Sequence, residues 1–144
     1  MNSLENFVTY KSSAGSGKTY TLVKEFLQIV FKSNNPTRYR NILAITFTNK
    51  ATEEMKRRIL SALLEIAEGS EEAMFQTLKE ELANTLDAKG IRARANEAYE
   101  LIIHNCGRFE ISTIDSFFSK VLRSFARELD LPMSYELEMN TSLA

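Results

Sequence analysis

The sequence holds 144 residues, with 18 Lys and Arg against 19 Asp and Glu, and is 44% hydrophobic and 26% charged. This is the composition of one ordinary domain or part of a larger one, and it excludes a disordered tail, a collagen-like repeat and a strongly basic nucleic-acid module. A net charge of -1 leaves any attraction for phosphate to a local patch.

With Cys106 the only cysteine, an internal disulfide and a Cys-rich zinc site are excluded, and a reducing cytosol is the expected compartment. Met1 to Asn6 lacks the basic flank and apolar stretch of a signal peptide. No window approaches the ~20 apolar residues of a spanning helix, so a cytoplasmic protein without a membrane partner is expected.

Phe7 to Lys11 is rich in β-formers and breaks at Ser12-Ser13-Ala14-Gly15-Ser16-Gly17, which predicts a first strand running into a tight loop. From Lys18 to Lys32, Leu22, Phe26, Ile29 and Val30 recur at helical spacing, and Ser33-Asn34-Asn35-Pro36 ends the run. The apolar block Ile42 to Ile45 predicts a parallel strand covered on both faces. Strand, helix and strand form a βαβ unit with a right-handed crossover. Met55, Ile59, Leu63 and Ile66 then predict a helix closing near Gly69, Phe75, Leu78, Leu82 and Leu86 a second, and Arg92 to Asn105 a third. Phe109 to Thr113 resumes strand character, and Phe117, Phe118, Val121, Leu122 and Phe125 form the apolar face of a last helix ending before Pro132. The fold class is α/β, with parallel strands and a mainly helical excursion, about residues 50–108, between the second and third strands.

Gly15-Ser16-Gly17-Lys18-Thr19 lies between a predicted strand and a predicted helix, the context that a phosphate loop requires. Small residues let successive backbone N–H groups turn inward around a phosphate, and the helix adds its positive end. Lys18 then contacts the β- and γ-phosphates and the Thr19 hydroxyl ligates Mg²⁺. A turn that merely joins strand to helix gives no reason for Gly-Lys-Thr in that order. The common pattern has Gly where this chain has Ser12, a mild change.

Polar residues follow the second and third strands, at the carboxyl ends where open α/β sheets place ligands. Phe47 can stack on a base while Thr48, Asn49 and Lys50 donate to phosphate oxygens; equally, Thr48 or Asn49 can cap the helix through Met55. In Ser112-Thr113-Ile114-Asp115-Ser116-Phe117, Asp115 or Ser116 can cap the last helix or bind a ligand. Phe109 to Asp115 can also be a Walker B strand with Asp115 on Mg²⁺, although Ser116 and not a second carboxylate follows. His104 and Cys106 read as packing or surface residues, and Lys56-Arg57-Arg58, Arg92 and Arg94, which have acidic residues nearby, as solvated faces.

Three of these stretches together resemble superfamily 1 helicases of the UvrD/RecB kind, most closely the RecB-like and AddA-like helicase-nuclease branch. Ser12 to Thr19 looks like motif I of that family, Ile42 to Met55 like motif Ia with its preceding strand, and Ser112 to Phe117 like motif Ic, where many members carry His in place of Asp115. The resemblance implies a partial RecA-like P-loop NTPase domain. It implies ATP with Mg²⁺ at Ser12, Ser13, Ala14, Gly15, Ser16, Gly17, Lys18 and Thr19, and DNA contact at Phe47, Thr48, Asn49, Lys50, Thr113, Asp115, Ser116 and Phe117. It further implies single-stranded DNA or duplex ends as partner, a role in DNA repair or recombination, and a nuclease domain or partner subunit beyond this chain.

In the family the Walker B Asp comes later than Asp115, on another strand, and the remaining helicase motifs are expected beyond Ala144. Nothing before Ser12 supplies the glutamine motif that reads adenine in UvrD-type members, and the interval from Lys50 to Phe109 is longer than in compact ones. The competing readings are a small P-loop phosphotransferase or self-sufficient NTPase, and a non-catalytic nucleotide- or DNA-binding module.

Overall fold

A computed structural model describes residues 17–70 and 72–128; the predicted first strand and the loop residues Ser12 to Ser16 lie outside them. In chain order the elements are α1 (Gly17–Lys32), a 3-10 turn (Arg38–Asn41), β1 (Ala44–Thr46), α2 (Asn49–Ala67), α3 (Ala73–Glu81), α4 (Ala88–His104), a second 3-10 turn (Cys106–Arg108), β2 (Ile111–Thr113) and α5 (Ile114–Glu128). The described residues are therefore rich in helix around two strands. β1 and β2 pair in parallel, with Ala44 opposite Ile111, Ile45 opposite Ser112 and Thr46 opposite Thr113. Three consecutive helices, α2 to α4, make the crossover between them.

The helices form where apolar spacing and end signals agree. Thr48 caps α2 by accepting from Ala51 N–H at 3.1 Å. Thr52, Met55, Ile59, Ala62, Leu63 and Ile66 line its buried side. Gly69, at φ +96°, closes it: Gly69 N–H bonds Ile66 O at 3.2 Å and Ser70 N–H bonds Glu65 O at 2.9 Å, the paired bonds of a Schellman ending. α4 begins at Ala88, four residues earlier than the periodicity predicts, because Asp87 caps it through Gly90 N–H at 2.7 Å. A Cβ at residue 90 would lie 2.9 Å from the Asp87 carboxylate, so glycine permits this close cap. α3 stops at Glu81, and Leu86, predicted within it, lies in the turn that leads to Asp87.

The core sits among α1, α2, α3 and α4. Leu27, Ile59, Leu63, Leu78 and Ile91 are fully buried, each stabilising the fold by roughly 1.5–3 kcal/mol relative to an exposed side chain. Ala95 and Ala98 keep α4 thin where it packs on α2. Tyr39 is also fully buried, and its hydroxyl donates to Leu101 O at 3.1 Å.

Three expectations are corrected. α1 buries Val23, Phe26, Leu27, Val30 and Phe31; of the predicted face Phe26 and Val30 are buried but Leu22 and Ile29 are exposed, because the i, i+3, i+4, i+7, i+8 stripe from Val23 is the broader one. β1 starts at Ala44 and is not covered on both faces: Leu43 and Ile45 are each 46% exposed, while Ala44 and Thr46, which alternate with them, are half-buried. Along α5, Phe118, Leu122 and Phe125 are exposed while Phe117 and Val121 are half-buried, so the predicted apolar face only partly enters the core. No helix among the described residues is long and apolar enough to cross a membrane.

Candidate functional site

Of the predicted phosphate loop, Gly17, Lys18 and Thr19 are described, and they form the first turn of α1. Lys18 is exposed and Thr19 half-buried. The turn holds no acidic residue, although the positive end of a helix favours one and disfavours a lysine. A cation there serves an anionic ligand better than it serves the helix. Among the described residues, no atom beyond its chain neighbours and its own helix backbone lies within 4 Å of a Cβ built on Gly17. An ammonium, a hydroxyl and helix N–H groups fit a magnesium-bound phosphate chain. Among the described residues no group of three or more His, Cys, Asp or Glu could hold a metal by itself.

The parallel register ends at Thr46 opposite Thr113, so both strands deliver their carboxyl ends to one edge of the sheet. Each then enters a helix almost at once. After β1, Phe47 is 87% exposed, Thr48 caps α2, and Asn49 and Lys50 are exposed in its first turn. After β2, Thr113 accepts from Ser116 N–H at 3.2 Å and donates to Ser116 Oγ at 2.9 Å. The cap of α5 is therefore Thr113, not Asp115 or Ser116, because strand passes into helix without an intervening loop. Asp115 and Ser116 are exposed in the first turn of α5, and the Phe117 ring lies edge-on to Phe118 with centroids 5.7 Å apart. Asp115 stands beyond the last strand residue, which does not suit a Walker B carboxylate.

A small hydroxyl network fixes the bend between β1 and α2 and gives no periodic signal in the sequence. Thr46 and Thr52 share a 2.6 Å hydrogen bond, and the Thr52 hydroxyl lies 3.2 Å from Thr48 O. An open groove beside it is lined by Thr48, Lys50, Ala51, Glu53, Glu54 and Arg57. Glu54 accepts from Arg57 at 2.9 Å and from Arg58 at 2.6 Å, and these guanidinium groups, Arg58 first, hold its carboxyl below the usual range. The basic run Lys56-Arg57-Arg58 is thus partly neutralised in place.

Arg92 and Arg94 are half-buried and engage protein groups, rather than lying on fully solvated faces. Arg92 stacks on Phe75 with its guanidinium carbon 4.9 Å from the ring centroid. Arg94 donates to Phe31 O, to Ser33 O at 2.8 Å and to Asn34 Oδ1 at 2.9 Å, capping the carboxyl end of α1. His104 faces Glu100 at 3.4 Å and Cys106 is exposed, as surface residues.

A family model matches nearly the whole chain. The UvrD/REP helicase N-terminal domain matches residues 1–143, and the chain belongs to that family. Its relatives include proteins named as ATP-dependent helicase/nuclease subunits. That of Bacillus pumilus is 32% identical over 130 residues, covering 90% of this chain and 9% of the relative. Those of Moorella thermoacetica and Clostridium beijerinckii are 31% and 29% identical over 126 residues, covering 88% of this chain and 7% and 8% of theirs. The chain thus spans less than a tenth of the length of these relatives. No solved structure matches it significantly.

Proposed function

We propose that this chain is the N-terminal part of the first RecA-like domain of an ATP-dependent DNA helicase or helicase-nuclease that moves along single-stranded DNA in repair or recombination. The observation that carries the reading is the shared edge, where Phe47 to Lys50 and Thr113 to Phe117 stand side by side at two helix starts. Helix N–H groups and hydroxyls there meet backbone phosphates, Phe47 offers a face to a base, and Lys50 adds charge. Family membership and the names of the relatives support the same direction.

At α1, Lys18 would hold the phosphate chain of ATP and the Thr19 hydroxyl would ligate Mg²⁺, with Ser12 to Gly17 as the cradle. The bound ion would neutralise charge on the phosphates. Transfer to water also needs a carboxylate on the ion, a group that orients water and an arginine, and of these parts the cradle is the one a sequence motif carries. The isolated chain therefore binds nucleotide weakly and turns it over negligibly. Mg²⁺-ATP hydrolysis by this chain with and without single-stranded DNA, beside Lys18→Ala, tests this. Turnover above the variant would promote Asp115 and the self-sufficient NTPase, while translocation by the full-length protein surviving Lys18→Ala would refute the assignment.

A further inference from the structure

The helical excursion holds α1 by contacts that its apolar packing does not require. Glu81, the last residue of α3, accepts from Lys24 Nζ at 2.8 Å and from Gln28 Nε2 at 2.6 Å, two rungs on one side of α1. Lys24 also meets Glu25 at 3.2 Å, and the Glu81 hydrogen bond, offset by partial burial, holds its ammonium above the usual range. At the far end Arg94 of α4 takes Phe31 O, Ser33 O and the Asn34 side chain in one guanidinium fork. A planar fork on three acceptors fixes both the axial position and the rotation of a helix end. Beneath these polar grips, α1 packs on α2, α3 and α4, and Phe26 meets Phe109 edge-on at 5.6 Å.

We propose that α3 and α4 act as a brace for α1, with Glu81 and Arg94 as positioning residues that set where its first turn, carrying Lys18 and Thr19, stands against a bound phosphate. This deepens the nucleotide reading above and gives the excursion a task. A helix is stiff along its axis, so a displacement of its carboxyl end shifts its amino end with it. The brace thereby places the Lys18 ammonium without touching it.

The test measures backbone amide exchange along α1 and α2 in the 144-residue chain, for Glu81→Gln, Arg94→Ala and Arg94→Lys, which keeps the charge but not the fork. Ile102→Val is the control, a mild core change on α4 that leaves both grips intact. The brace predicts that exchange in α1 rises at least about fivefold more than in α2 for each grip variant, whereas the control raises both in the same ratio. Equal rises in all variants, or no change in α1, would overturn it. If Arg94→Ala does not fold, Glu81→Gln and Arg94→Lys decide. Mg²⁺-ADP affinity is measured alongside: loss in Lys18→Ala tests the nucleotide reading, and a loss in the grip variants that exceeds the Ile102→Val control tests the positioning, which unchanged affinity in those variants would overturn.

Discussion

Thr46 and Thr113 face each other as the last pair of the parallel ladder, and both hydroxyls turn to the helix that follows: Thr46 to Thr52 in α2, Thr113 to Ser116 in α5. The same two side chains thus end the sheet and start the helices that frame the candidate DNA edge. Thr113→Val keeps the shape but leaves Ser116 N–H without its acceptor. It should cost about 1 kcal/mol, as loss of an N-cap does, read as a lower denaturant midpoint with an unchanged slope.

Lys18→Ala in the full-length protein should reduce ATP turnover by at least about a hundredfold, the scale of removing one preorganised donor from a transferring group. Steady-state hydrolysis with saturating single-stranded DNA measures it. Because Lys18 is exposed and sits at the unfavourable end of the helix dipole, its removal should not lower thermal stability.

Phe47→Ala should weaken single-stranded DNA binding by about 1–3 kcal/mol, the range for one lost base stack, and leave folding stability within about 0.5 kcal/mol. Lys50→Ala should act differently, lowering the salt dependence of binding by about 0.7 in the logarithmic slope. Fluorescence anisotropy of a labelled oligonucleotide across a salt series separates the two. An unchanged slope in Lys50→Ala would remove that lysine from the phosphate contacts.

Glu65 offers a pH test. Burial, then the Glu72 carboxylate, raise its pKa above the ordinary 4.5. The folded protein therefore holds this proton more tightly than the unfolded chain. The stabilisation that follows is complete below about 4.5 and is lost as pH rises through the raised value. Glu65→Gln should flatten this part of the pH profile and leave the protein at least as stable at neutral pH. Melting temperatures of both proteins from about pH 4 to about pH 7 check it, the effect being small on a partly solvated group.

The order and kind of the described elements were legible in the sequence because apolar spacing and breakers agree along α1, α2 and β2. The faces were less so. Leu22 and Ile29 are as apolar as Val23 and Leu27, and which stripe is buried depends on where α2, α3 and α4 lie. The start of α4 lies before the predicted Arg92 because Asp87 caps it through Gly90 N–H, a bond that apolar spacing does not report. At the site, chain order located the two strand ends, and pairing alone made them neighbours. Arg94 carried no local signal, since its acceptors are carbonyls some sixty residues away.

The crossover of three helices has a kinetic consequence. Thr46 and Thr113 can pair only after the whole stretch between them has been made and compacted, and closing so long a segment delays folding more than it costs stability. A chain emerging from the ribosome therefore carries the first half of its candidate nucleic-acid edge without the second. The edge becomes whole only once the two strand ends have paired.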